Sequence, residues 1–265
     1  MTDRKVAIVT GAGTGTGAAT ALLLARRGYN VVINYAKSHD EALRSQAACR
    51  EAGADTLLLR GDVSVDAECK AMVDAALARW KRLDALVNNA AISLFGEASN
   101  WDALDVAAFQ RILGVNTIGT FQMVRACVPH LKAAQGAIVN VSSVAGSLGI
   151  GSSVPYIASK GAINAMTLHL ARTLAPDVRV NAVCPGLITS EWFVKGVGQE
   201  GYDKIKQNVE RTVPLGRAST PEDVADSIVW LLEARTVTGE LLQLDGGMHL
   251  GGRPVQMPRA KSSAT

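Results

Sequence analysis

Short apolar runs alternate with longer helical patterns over most of this chain. Lys5-Val6-Ala7-Ile8-Val9, ended by Thr10-Gly11, predicts a strand buried on both faces. A helical pattern follows from about Gly17 to Arg27, with Leu22, Leu23 and Leu24 among alanines and Gly28 as its C-cap. Val31 to Asn34 is a second strand, Asp40 to Ala52 a helix stopped by Gly53, and Thr56 to Leu59 a third strand. Asp66 to Trp80 is helical and Asp84 to Val87 extended. Asp105 to about Lys132 reads as one long helix despite Gly114 and Gly119, followed by a strand at Ala137 to Val141. Another helix carries Tyr156 and Lys160 and runs to about Ala175, where Pro176 stops it. Arg179 to Val183 is extended. Thr220-Pro221-Glu222-Asp223 begins a helix with Thr as N-cap, Pro at the first position and acids in the first turn. Glu240 to Leu244 is a last strand, ended by Asp245-Gly246-Gly247. This alternation implies right-handed crossovers and a parallel sheet covered on both sides. No repeat or linker interrupts residues 1–250, read as one domain, and Pro254, Pro258 and a polar end make 251–265 a mobile tail.

Composition narrows the picture. The 265 residues are 48% hydrophobic and 19% charged, enough for a large core. The formal charge of +3 is scattered, which points away from nucleic acid. Cys49, Cys69, Cys127 and Cys184 are widely spaced and form no C-x-x-C, which favours reduced thiols in the cytoplasm over zinc or disulfides. The early strand points away from a signal peptide, and no apolar run approaches the ~20 residues of a membrane span. The four histidines lack ligand spacing, so neither a metal site nor Ser-His catalysis is expected, and there is no G-x-S-x-G elbow.

The candidate chemistry sits at two places. Thr10-Gly11-Ala12-Gly13-Thr14-Gly15-Thr16-Gly17 joins a strand to a helix, and glycines there let backbone approach a pyrophosphate held by helix N-terminal amides. Tyr156 and Lys160, four apart on a helix, share a face, so an ammonium lies near a phenol and favours its ionisation. Ser143 offers a hydroxyl that could hold a substrate oxygen beside that phenol.

Thr10-Gly11-x-x-x-Gly15-x-Gly17, Asn88-Asn89-Ala90, Asn116, Ser143, Tyr156-x-x-x-Lys160 and Pro185-Gly186 stand in the order and spacing of the short-chain dehydrogenase/reductase family. The chain resembles its classical branch over about residues 4 to 248, including 3-oxoacyl-(acyl-carrier-protein) reductases and glucose-dehydrogenase-like enzymes. Ala91 departs from the pattern, since the family usually has Gly after Asn-Asn-Ala. The resemblance implies a doubly wound α/β Rossmann fold with strand order 3-2-1-4-5-6-7. It makes Tyr156 the general acid in reduction and the base in oxidation. Lys160 would lower the Tyr156 pKa and bond the nicotinamide ribose, and Ser143 would polarise the carbonyl. The family's usual spacing from the tyrosine favours Ser143 over its neighbour Ser142. Asn116 would hold a water that relays protons from Lys160. Asp62 and Val63 resemble the adenine-binding pair, and Asn89 and Ala90 would lie along the adenosine ribose. Pro185 and Gly186, with Ile188 and Thr189, would receive the carboxamide and pyrophosphate, and Gly11, Gly13, Thr14, Gly15 and Thr16 would form the phosphate turn. A homotetramer, built through the long helices and last strand, is also implied.

Cofactor choice follows from charge. An acid roughly ~20 residues beyond the glycines would bond a ribose 2′-hydroxyl and repel a 2′-phosphate. Asn34-Tyr35-Ala36-Lys37-Ser38 has no carboxylate before Asp40, while Lys37 and Ser38 could meet a phosphate. NADP(H) is therefore expected over NAD(H), which remains possible. Leu187 to about Thr212 mixes Trp192, Phe193 and Tyr202 with Gly196, Gly198 and Gly201, as suits a lid, or else a surface loop without a closing role. The expected activity is carbonyl reduction on a 3-oxoacyl thioester or similar small ketone. The alternatives are a sugar or secondary-alcohol dehydrogenase, and a dinucleotide-binding sensor without turnover.

Overall fold

In the first strand, β1 (Val6–Val9), side chains alternate between two hydrophobic cores. Val6 and Ile8 enter one, Ala7 and Val9 the other, and all four are fully buried. Such a strand cannot sit at a surface; it needs helices above and below. The computed structural model, which describes residues 4–95, 102 and 104–251, supplies them. Strands β2 (Asn30–Tyr35), β3 (Thr56–Arg60), β4 (Ala85–Asn88), β5 (Ala137–Val141), β6 (Arg179–Pro185) and β7 (Leu241–Leu244) complete a parallel sheet of order 3-2-1-4-5-6-7, as expected. Helices α1 (Gly15–Arg26), α2 (His39–Glu51) and α9 (Pro221–Glu233) carry the core of Leu24, Ala42, Cys49 and Ile228 on one face. Helices α3 (Asp66–Trp80), α5 (Thr120–Ala134) and α7 (Val154–Leu174) carry Met72, Val73, Met123, Leu131 and Leu170 on the other. Each large aliphatic chain so buried is worth roughly 1.5–3 kcal/mol.

The register brings Val9 opposite Ile33 and Val87, so the carboxyl ends of β1, β2 and β4 lie level. Chain order reverses between β1 and β4, the place where open α/β sheets present a crevice. Buried Asp84 fixes the opposite end of β1: its carboxylate accepts from the Val6 amide at 2.8 Å and takes both prongs of Arg82 at 2.7 and 2.9 Å.

Three elements differ from the sequence reading. The long helix runs unbroken from Val106 to Ala134 as read, but it comprises α4 (Val106–Leu113), a π-helical turn (Gly114–Gly119) and α5, with helical backbone at both junctions. The widened turn keeps Gly119 against Val63, where an added Cβ would lie 2.7 Å from Val63 Cγ2, and holds Asn116 fully buried. The segment read as a lid or loop contains a helix, α8 (Glu191–Thr212), broken at Gly198, whose φ of 74° and ψ of 167° are not helical. A short helix, α6 (Ala145–Leu148), lies between β5 and α7 and was not foreseen. Among the described residues no helix is long and apolar enough to cross a membrane. Apart from Gly251, the expected tail lies outside the described residues.

Candidate active site

A cavity of about 530 Å³ runs along the carboxyl ends of β1, β2, β4, β5 and β6. The glycine turn forms one wall. Gly11 has a φ of +63°, and Gly17 packs so closely that an added Cβ would fall 2.2 Å from the Gly11 carbonyl oxygen. Asn89 Nδ2 donates to the Thr10 and Gly11 carbonyls at 2.9 and 3.0 Å, and Asn34 Oδ1 accepts from the Gly11 amide at 3.2 Å. Both asparagines border the cavity, but these side-chain atoms serve as struts of the turn; Asn34 also donates to the Gly61 carbonyl. Gly13, Thr14, Gly15 and Thr16 line the cavity where α1 begins. The first turn of α1 holds no acid and Thr14 makes no side-chain cap, so helix amides remain for an anion. A tight glycine cradle opening a helix N-terminus fits the pyrophosphate of a nicotinamide dinucleotide.

Beyond the turn, Tyr35, Lys37 and Ser38 line the cavity at the end of β2, and Asp62 and Val63 at the end of β3. Tyr35 is held by a 2.7 Å hydrogen bond between its hydroxyl and His39 Nδ1. Asp62 accepts from the Ser64 amide and hydroxyl at 2.9 and 2.7 Å. Ser38, the N-cap of α2, makes no side-chain cap bond.

At the other end Ser143, Tyr156 and Lys160 face the same cavity. Lys160 is buried, and its Nζ donates to the Val141 carbonyl at 2.8 Å while standing 5.4 Å from the centre of the Tyr156 ring. Burial pulls its ammonium down to about 8. Burial also pushes the Tyr156 phenol up to about 12, with a hydrogen bond to Ser143 pulling the other way. Removal of the hydroxyl from water is the largest influence on this phenol, ahead of the Ser143 hydrogen bond. Ser142 also lines the cavity, but its hydroxyl is engaged elsewhere. Its hydroxyl lies 2.6 Å from Asn164 Oδ1 and 3.2 Å from the Lys160 carbonyl, tying β5 to α7.

Asn116, Gly186 and Thr189 are not among the residues that line the cavity. The Asn116 side chain accepts from the Ile92 amide and donates to the Ile92 carbonyl and Ser159 Oγ, and its own carbonyl accepts from Thr120 Oγ1 at 2.7 Å. These bonds clamp the segment after β4 to α7, a role that the relay expectation does not include. Gly186 backs onto Asp245, and the Thr189 amide donates to the Ser219 carbonyl. Ala90, Pro185 and Ile188 do line it. So do Ile92, Gln110, Arg111 and Val115, which the sequence reading did not name as site residues. Gln110 and Arg111 lie near the end of α4, and Val115 in the π turn that follows it.

Lys160 allows a test of sign. A lysine held near 8 binds fewer protons folded than unfolded between pH 8 and 10.5, so its burial costs stability below 8 and that cost fades up to 10.5. Lys160→Met should therefore melt at or above the wild-type temperature at pH 7. Its advantage should shrink as pH rises through that window, read by thermal denaturation at stepped pH, while turnover is lost.

The family model described as enoyl-(acyl carrier protein) reductase matches residues 11–249. A protein named as ketoacyl reductase 2 of the granaticin polyketide synthase, from Streptomyces violaceoruber, is 42% identical over 249 residues, spanning 94% of this chain and 97% of the relative. A 3-oxoacyl-(acyl-carrier-protein) reductase from Staphylococcus aureus is 32% identical over 94% of this chain and 100% of its own. A crystal structure from Burkholderia xenovorans, described as a short-chain dehydrogenase/reductase, superposes with a TM-score of 0.88 at 38% identity, covering 95% of this chain and 100% of that one. The chain belongs to the short-chain dehydrogenase/reductase family, oxidoreductases that act on alcohol and ketone groups with a nicotinamide cofactor.

Proposed function

We propose that the protein is an NADP(H)-dependent carbonyl reductase acting on a 3-oxoacyl thioester or a similar ketone. The observation that carries this reading is the shared cavity: a glycine turn at one end, Ser143, Tyr156 and Lys160 at the other. When bound, the cofactor supplies the hydride. The chain's own part is to position and protonate. Ser143 holds the substrate oxygen and Tyr156 delivers its proton to that oxygen as charge develops there. A phenol held near 12 stays protonated through the neutral range and so carries the proton that reduction requires. Lys160 neutralises the site and would bond the nicotinamide ribose, and Asn116 supports the helix that carries both residues. The names of two relatives, a ketoacyl reductase and a 3-oxoacyl-(acyl-carrier-protein) reductase, support the thioester class. A third relative, cis-4-hydroxycyclohexanecarboxylate dehydrogenase from Sinomonas cyclohexanicum, is 38% identical over 92% of this chain and supports a secondary-alcohol dehydrogenase as the second reading.

The NADP(H) preference rests on Lys37 and Ser38 at the end of β2, where no carboxylate stands to repel a 2′-phosphate. Lys37→Ala should weaken NADPH binding about tenfold, the worth of one charge-assisted contact, and leave NADH nearly unchanged. Titration of both cofactors against both proteins measures it; tighter NADH binding by the wild type would overturn the preference. NADPH consumption with an acetoacetyl thioester, beside simple ketones and sugars, tests the substrate class. We also read residues 1–250 as one cytoplasmic catalytic domain forming a homotetramer. Exposed Ile118, Phe121 and Leu168, on the π turn, α5 and α7, support that assembly.

A further inference from the structure

The catalytic tyrosine has an aromatic neighbour that the reaction itself does not require. Trp192, at the start of α8, lies 6.0 Å from Tyr156 between ring centres, tilted by 42°. Phe95 meets the indole at 4.8 Å and 72°, and Phe193 meets it at 5.2 Å and 89°. Phe95 and Phe193 are themselves 5.7 Å apart, so the three rings brace one another. The packing is built into the backbone. A Cβ at Gly196 would fall 2.3 Å from the Phe95 ring, so that turn of α8 can close on Phe95 only with glycine there. Trp192 and Phe193 both line the cavity, and Trp192 keeps 36% of its surface exposed. No member of the cluster is charged.

These rings restrict what can reach Tyr156. A ring sandwiched between Tyr156 and Trp192 would need about 7 Å, two carbon contacts of ~3.5 Å, and the gap is smaller. A substrate ring must instead lie along the remaining indole surface with its carbonyl turned to the phenol. Neither phenylalanine lies parallel to the indole, so no flat partner already stacks on it. A flat ring gains stacking there and has no rotors to freeze; a linear acyl chain gains area only and loses rotamer freedom.

Resting on the carbonyl-reductase reading and narrowing its ketone class, we propose that Trp192 is a specificity-determining residue and that, as a thioester or free, the substrate carries its ketone in or beside a flat carbon ring in preference to an open acyl chain. The reacting bond is unchanged: hydride to carbon, the Tyr156 proton to oxygen.

The test compares α-tetralone, flat beside its carbonyl, with trans-1-decalone, a puckered ring ketone of similar size, and with an acetoacetyl thioester. Each is reduced with NADPH by the wild type, Trp192→Ala and Trp192→Phe. Trp192→Ala should lower the tetralone-to-decalone ratio of kcat/KM about tenfold, and Trp192→Phe should keep it within about threefold. An unchanged NADPH dissociation constant shows that the alanine variant is folded. An equal loss on all three substrates, or no change in the ratio, overturns the proposal while leaving carbonyl reduction intact. If no carbonyl is turned over, the reductase reading fails by itself. The wall is then judged by tetralone binding to the NADPH complex, read by isothermal titration calorimetry, which does not need the indole as its reporter. Binding lost in Trp192→Ala supports it, and binding absent from the wild type or retained in the variant overturns it.

Discussion

Replacing Tyr156 by Phe should lower kcat by about 10²–10⁴-fold, the range expected for loss of a positioned acid. The NADPH dissociation constant should stay within about threefold, because the phenyl ring keeps its packing against Trp192 and the Lys160 ammonium remains bonded to the Val141 carbonyl. Stopped-flow measurement of NADPH oxidation, beside a fluorescence titration of the cofactor, separates the two effects. Full turnover by the variant would remove Tyr156 from the mechanism and leave Ser143 or a water as the proton source. The pH profile adds a second reading. In the reductive direction wild-type kcat should not fall between pH 6 and 8 through loss of the Tyr156 proton, since burial keeps that proton in place until far higher pH.

Gly17→Ala is expected to be the most damaging single methyl in the site. Its Cβ would lie 2.2 Å from the Gly11 oxygen and 2.6 Å from Asn89 Nδ2, inside contact distance of backbone that has little freedom to withdraw. The turn must open, and the Asn89 bond to the Gly11 carbonyl is the first to lengthen. Overpacking of this kind costs roughly 1–3 kcal/mol of stability. NADPH affinity should fall by about tenfold or more if, as proposed, the displaced backbone is the wall for the pyrophosphate. Gly161→Ala is the control. There the nearest atom to an added Cβ is the Gly146 oxygen at 3.7 Å, and a helix interior favours alanine by about 1 kcal/mol. Urea unfolding of both variants, with NADPH titration of the first, checks the contrast. A Gly17→Ala protein as stable and as tight as the wild type would mean that the turn is softer than its packing implies.

Much of the architecture was legible in the chain because it is written locally. The four-residue run of β1 is apolar at every position, which only a strand covered on both faces can use. Thr220 as N-cap with Pro221 behind it marks the start of α9 in the sequence, and the structure adds a capping box between Thr220 and Asp223. The glycine turn and the Tyr156-Lys160 pair were readable because each is a short spacing with a chemical reason, Ser143 was picked out by the family resemblance, and the crevice between β1 and β4 brings them to one cavity.

What sequence could not decide depends on partners distant along the chain. The family resemblance marks Asn116 as a relay residue, but only the tertiary structure shows its amide bonded to Ile92 and Ser159, where it closes a bridge between two elements. Asn34 and Asn89 look like cofactor ligands from their positions. Their bonds to the glycine turn emerge only when β2 and β4 flank β1. The direction of the Tyr156 shift also belongs to the tertiary structure. Four residues of spacing put an ammonium near the phenol, but the surrounding fold decides how much water either group keeps, and here desolvation wins. The aromatic wall is the same case at longer range, since Phe95 and Trp192 meet only because Gly196 lets α8 close over the loop after β4. Periodicity and short motifs carry what a residue does with its neighbours in sequence. Burial, shared hydrogen bonds and ring packing are set by the whole chain at once.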